Sequence, residues 1–218
     1  MAIGDHLSDV KVLWGVAGCA NTSKVLLTAA EKGVDIDGRS VDMSSDVEMN
    51  DIKKFSPFGS VPVLKDVDFY IYGTEAIMSY LDDKGFGPSL VHRNGVVRAR
   101  MYQEMGVAAQ CNAGDDASLA SALDVLDTTL GTDAGNMKGD YVCGQFTLAD
   151  ACWAGVCQVA MNMGKGSAIS SRSRVNTWFA AVQSHPSTSK EAINPFSCMA
   201  TKADHDGGNM REVRVNAG

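Results

Sequence analysis

Ser56-Pro57-Phe58-Gly59-Ser60-Val61-Pro62-Val63-Leu64 joins a turn to a strand that opens on a proline. Proline cannot donate to a sheet ladder, so Pro62 belongs at a strand start or edge. The Val61-Pro62 bond is a candidate cis peptide, which would turn the Val61 backbone outward to a ligand. After a short turn through Asp66 and Asp68, Tyr72-Gly73-Thr74-Glu75-Ala76-Ile77 begins a second helix of interest. Thr74 offers its hydroxyl together with the free amides of a first helical turn, an arrangement suited to a carboxylate. A strand edge beside a helix N-terminus fits the backbone and carboxylate of a small peptide.

Other chemistries are disfavoured. Six cysteines (Cys19, Cys111, Cys143, Cys152, Cys157 and Cys198) occur without a Cys-x-x-Cys pair, and Met1 to Val10 shows no signal-peptide pattern. They read as reduced thiols rather than a disulfide framework, and the expected compartment is the cytoplasm. His6, His92, His185 and His205 stand at no metal-ligand spacing, so no metal site is expected. A net charge of −7 disfavours nucleic acid and anionic membrane as partners. No apolar run reaches the length of a membrane span.

The elements that must hold these residues follow from periodicity. Val10-Lys11-Val12-Leu13-Trp14 reads as a strand, and a helix of residues 21–32 follows it. Asn21, Thr22 and Ser23 are its possible N-caps. A strand at 38–41 then makes a parallel βαβ unit. Strands at 61–64 and 69–72 form a hairpin, and a helix at 74–83 closes the unit. Lys84-Gly85-Phe86-Gly87-Pro88 is the best linker in the chain. Beyond it only helices are expected, at 96–110, 118–130, 147–161 and 172–184. The domains are therefore set at 1–83 and 95–200, with a linker at 84–94 and a polar tail at 201–218, loosely ordered or draped on the surface. The pattern is α/β followed by all-α.

Ser56-Pro57-Phe58-Gly59-Ser60-Val61-Pro62-Val63-Leu64, followed by the threonine-led Ala76-Ile77 helix, resembles the glutathione-binding half of a cytosolic glutathione transferase of bacterial type. Tyr141-Val142-Cys143-Gly144-Gln145-Phe146-Thr147-Leu148-Ala149-Asp150 is similar to a second segment of that family, the capping box of a buried helix. The resemblance implies a thioredoxin-like N-terminal domain, ordered βαβ-ββα, a helical C-terminal domain, glutathione as co-substrate and a homodimer. Asp150 is then a fold determinant with no catalytic part.

In that fold the reacting group lies in the loop after the first strand, at the N-terminus of the first helix. The resemblance offers Cys19, Asn21, Thr22 and Ser23 there; no tyrosine occurs in the loop. Counting back from Glu31-Lys32-Gly33 sets Cys19 at the place of the serine in plant-type members, and Asn21 at that of an asparagine in a disulfide-reductase-like branch. The helix dipole favours a thiolate in this position. Serine can only donate a hydrogen bond to the glutathione thiolate, whereas cysteine can also form a mixed disulfide with glutathione. The branches with cysteine commonly place an aromatic or proline beside it; here the neighbours are Gly18 and Ala20.

The resemblance also implies that the Val61 backbone, ahead of Pro62, pairs with the cysteinyl unit of the tripeptide. Thr74 would hold the γ-glutamyl carboxylate, and Lys53, Lys54 or Ser60 the glycyl carboxylate. The acid that usually precedes Thr74 is replaced by Gly73. Glu75 is a substitute one step round the helix, and an acid of a second subunit, such as Asp115 or Asp116, is another. The acceptor pocket would involve Val16, Ala17, Tyr102 and Met105, with Gln103, Met161 or Met163 near it. Three readings result: a transferase acting on a small electrophile, a Cys19-dependent thiol–disulfide oxidoreductase that removes glutathione, or a non-catalytic binding module.

Overall fold

The computed structural model describes residues 10–16, 18–132 and 139–189, together with the backbone of 213–215. The chain divides into two compact units, one built on Met1–Gly87 and the other on Pro88–Ser189.

Alternation along β1 (Lys11–Gly15) sends Leu13 to one face of a sheet and Trp14 to the other. Helix α1 (Ala20–Glu31) carries apolar residues all round and buries Val25, Leu26, Leu27, Ala29 and Ala30. Full burial of each leucine contributes about 1.5–3 kcal/mol. After it come β2 (Ile36–Ser40), α2 (Asp46–Lys53), β3 (Val63–Asp66), β4 (Phe69–Tyr72) and α3 (Thr74–Lys84). β1 and β2 pair in parallel, while β3 runs antiparallel to both β1 and β4. A short strand, β5 (Val213–Val215), lies antiparallel along β2, so the sheet order is β4-β3-β1-β2-β5. Leu13, Ile36, Leu64 and Ile71 share one buried face by their register. The opposite face packs Val41, Ile52 and Val63 with Trp14, Phe55 and Tyr70.

Helices α1 and α3 pack together and are tied at their C-terminal ends. Lys32 and Asp82 form an ion pair at 3.0 Å with both side chains 2% exposed. The Phe86 amide donates to the Lys32 carbonyl at 2.7 Å, so the chain leaving α3 is fixed against the end of α1. Removing one partner of such a buried pair costs about 3–5 kcal/mol, because the other charge is left in a dry environment.

The second unit is helical: α4 (Gly95–Gln110), α5 (Asp116–Leu130), α6 (Leu148–Asn162), α7 (Gly166–Ser170), α8 (Ser173–Gln183) and α9 (Pro186–Ser189). The stripe Leu119, Leu123, Leu126 of α5 is buried, and α6 is buried along most of its length. Glu104 on α4 is 3% exposed and accepts from Thr129 at 2.6 Å and from the Trp153 indole at 3.1 Å. One carboxylate thus joins three helices. Thr147 and Asp150 form a capping box at the start of α6.

The α/β unit followed by a helical unit agrees with the sequence expectation, and several elements differ in detail. α2 falls in a segment to which the sequence pattern assigns no element, and α7 and α9 are additional short helices. β2 begins at Ile36, two residues before the expected strand. Strand pairing of β3 begins at Val63, which leaves Val61 and Pro62 ahead of it. Lys84 ends α3 and Gly95 begins α4. Only 213–215 of the expected tail are described, as β5.

Candidate active site

The register of the sheet assembles the site at one end. Trp14 and Tyr72 both pair with Val63, so the last residues of β1 and β4 and the first of β3 lie at the same end of the sheet. Three segments therefore converge where β1 and β4 end and β3 begins. They are the loop into α1, the Val61-Pro62 corner, and the N-terminus of α3.

Cys19 is the N-cap of α1, half-buried, with φ −82° and ψ 130°. Its amide donates to the Val16 carbonyl at 3.2 Å, and its own carbonyl accepts from Ser23 at 3.0 Å. Among the described residues no side chain caps this helix and the amides of Ala20, Asn21 and Thr22 are open at the Cys19 end. Asn21 is exposed on the first turn. Thr22 has a different position from the one its sequence neighbourhood suggested. It is 1% exposed and its hydroxyl accepts the Val16 amide at 3.1 Å. Thr22 is thus a brace beneath the loop. It requires Gly15, where a Cβ would lie 2.5 Å from the Thr22 methyl. Ser23 is also buried, which leaves Cys19 and Asn21 as the accessible members of the group. Ala17 lies outside the described residues.

The Val61-Pro62 bond is cis. Among the described residues the Val61 amide and carbonyl make no backbone hydrogen bond, which is what an incoming strand requires. Pro62 is buried and Ser60 exposed. Ser56, wholly buried, holds the corner: its hydroxyl accepts the Ser60 amide at 3.2 Å and meets the Ser60 hydroxyl at 3.2 Å. The Lys53 stem lies over Gly59, so its ammonium is carried to the same corner. Lys54 is bound to Asp51 at 2.6 Å instead.

Thr74 is 7% exposed, and its hydroxyl has no partner among the described residues. Ile77 donates back to the Gly73 carbonyl at 3.0 Å, so the amides of Thr74, Glu75 and Ala76 are open. Gly73 is the N-cap with φ 90°, and a Cβ there would meet nothing within 4 Å. Among the described residues nothing crowds a Cβ at this position, but φ 90° is a conformation that L side chains rarely adopt. Glu75 is exposed on the first turn of α3. Asp115 and Asp116 already have partners within their own unit. Asp115 caps α5 by accepting from Ser118 at 2.7 Å, and Asp116 pairs with Lys165 at 2.7 Å.

On α4, Tyr102 and Gln103 are exposed and Met105 is buried in the stripe with Val97, Met101 and Ala108. Met161 and Met163 are exposed at the end of α6. The remaining thiols have other surroundings. Burial first, and then the nearby Asp150, push the Cys143 thiol up to about 12. Burial likewise raises Cys157, so neither supplies a thiolate near neutral pH. Cys198 lies outside the described residues. Among the described residues no cluster of His, Cys, Asp and Glu could hold a metal ion, and no helix is long and apolar enough to cross a membrane.

Sequence reasoning missed Lys24, buried on α1, and Ser56, which sets the corner before Val61. The spacing Ser56-x-x-x-Ser60 was the available signal for the second.

A sheet of this order, with its helix N-termini and cis-proline corner gathered at one end, defines a thioredoxin-like domain, here followed by a helical one. The family model described as the glutathione S-transferase N-terminal domain matches residues 18–84. Glutathione S-transferase F10 of Arabidopsis thaliana is 26% identical over 196 residues, covering 76% of this chain and 88% of its own. A stringent starvation protein A homolog of Haemophilus influenzae is 35% identical over 77 residues, 35% of each chain. The crystal structure of a serine-to-cysteine mutant of poplar glutathione transferase F1 superposes with a TM-score of 0.67 at 25% identity, over 81% of this chain and 94% of its own. The N-terminal unit is thus similar to the N-terminal domain of glutathione S-transferases, and the chain as a whole is similar to named members of that family.

Proposed function

We propose that the chain is a glutathione transferase that activates the glutathione thiol for attack on a small electrophile. The observation that carries this reading is the pairing of two unfilled backbone sites on one sheet end. The free Val61 amide and carbonyl suit the middle of a tripeptide, and the open N-terminus of α3 with the Thr74 hydroxyl suits its γ-glutamyl carboxylate. Lys53 and Ser60 stand at the corner for the glycyl carboxylate. The tripeptide sulfur then falls towards the N-terminus of α1. There the Cys19 thiol and the open amides stabilise the thiolate, whose proton passes to solvent. The thiolate attacks carbon and the leaving group departs. The enzyme is taken as a cytoplasmic homodimer. Similarity to a named glutathione S-transferase over 76% of this chain and 88% of that protein supports the reading.

A second reading is favoured by the sulfur at position 19 itself. The Cys19 thiolate attacks the glutathionyl sulfur of a mixed disulfide and the S–S bond breaks, releasing the other thiol after protonation. A second glutathione thiolate then attacks the Cys19 disulfide, giving oxidised glutathione and the free Cys19 thiolate.

Calorimetry with glutathione, followed by Cys19→Ser, separates these. Conjugation of an activated aryl chloride that persists in Cys19→Ser supports the transferase, because serine still donates to the thiolate. Reduction of a glutathione mixed disulfide that is abolished by the change supports the oxidoreductase. Failure of the wild type to bind glutathione at millimolar concentration overturns both and leaves a binding module, consistent with the partial similarity to a protein named otherwise.

A further inference from the structure

Lys24 stands on α1 and is only 2% exposed. Burying an ammonium to this degree is costly unless its charge is answered. Among the described residues no acid lies at ion-pair distance, and its hydrogen-bond partner is the Asn21 side chain, with Nζ to Oδ1 at 3.2 Å. Residues 21 and 24 share one helix face, and helical side chains lean towards the N-terminus. The charge is thereby carried to the first turn of α1, where the open amides already favour an anion.

The contact also decides how Asn21 is oriented. An ammonium only donates, so the atom facing Lys24 is the carbonyl oxygen, and the Asn21 Nδ2 group is turned the other way. Nδ2 has no partner among the described residues, and Asn21 is exposed.

We infer that Lys24 is a positioning residue: it locks the Asn21 amide with its N–H donors outward, two residues from Cys19, ready for a sulfur anion held there. This rests on the reading of the α1 N-terminus as the thiolate site. Arginine keeps the donor, while methionine fills similar space and leaves the amide free to rotate.

Two measurements test the inference. In ligand-free protein, the Asn21 side-chain amide is followed by nitrogen-15 NMR, assigned by its loss in Asn21→Ala. In the wild type and Lys24→Arg its relaxation order parameter is expected to be high, as for a fixed carboxamide, and in Lys24→Met clearly lower. Equal behaviour in wild type and Lys24→Met overturns the inference, whatever glutathione does. The second measurement is a double-mutant cycle on kcat/KM for glutathione with an activated aryl chloride. Lys24→Met and Asn21→Ala are each expected to lower it about tenfold, with the double variant no lower than either, and Lys24→Arg close to wild type. Additive losses, or loss in Lys24→Met without any in Asn21→Ala, overturn it. If the wild type binds no glutathione, the preceding reading fails, and the amide comparison still decides this one.

Discussion

The Trp178 indole N–H meets Asp150 Oδ1 at 2.8 Å, joining α8 to the first turn of α6. The same oxygen accepts the Val142 amide at 2.8 Å, while Oδ2 accepts the amide and the hydroxyl of Thr147, each at 2.9 Å. Burial pushes the Asp150 carboxyl up, and these four donors pull it back towards the ionised form. Asp150→Asn places an amide N–H₂ against at least one donor that it cannot accept. Chemical denaturation is expected to show a loss of about 3 kcal/mol. A change below about 0.5 kcal/mol would contradict the network as described.

Thr74 offers the opposite case, a nearly buried hydroxyl without an internal partner among the described residues. Thr74→Val is expected to leave the unfolding midpoint almost unchanged, because no internal bond is lost. Glutathione binding, measured by calorimetry, is expected to weaken about tenfold, the effect of removing one hydrogen bond to a charged group. Equal affinity in both proteins would place the carboxylate elsewhere.

The hairpin and α3 are linked by the Tyr80 hydroxyl, which donates to Asp66 at 2.6 Å. Burial first, then the bond to Asp66 and its charge, push the Tyr80 phenol up to about 12. The folded state therefore keeps a proton that the unfolded chain loses near pH 10. The contribution is fully present below pH 10 and declines as pH rises through about 12. Absorbance titration at alkaline pH is expected to show one late phenol that disappears in Tyr80→Phe. In Asp66→Asn its midpoint should fall towards the ordinary value. An unchanged titration would remove this link.

Much of the fold was legible because its signals are local. Pro62 announced a strand entry, Thr74 a helix start, and the apolar spacing of residues 25–30 a buried helix. α2 was not legible, since Asp46–Lys53 buries only Ile52 and shows no apolar stripe. The strand Ile36-Asp37-Gly38-Arg39-Ser40 was misplaced by two residues because polar side chains occupy it. At the candidate site, the types of Cys19, Asn21 and Thr22 were visible but their directions were not. Whether a threonine faces solvent or the Val16 amide depends on Gly15, which admits it from the neighbouring strand. The burial of Lys24 is likewise a tertiary fact.

The ion pair between Lys32 and Asp82 gives this unit an uneven response to ionic strength. Added salt screens charges that water can reach, with a Debye length of about 10 Å at 0.1 M, and acts far less on a pair sealed from solvent. The Lys54–Asp51 pair, with side chains 66% and 61% exposed, fades as salt rises. The tie between the ends of α1 and α3, at 2% exposure on both sides, persists. A brine that loosens the electrostatics of the α2 rim thus leaves the two helices behind the site riveted together.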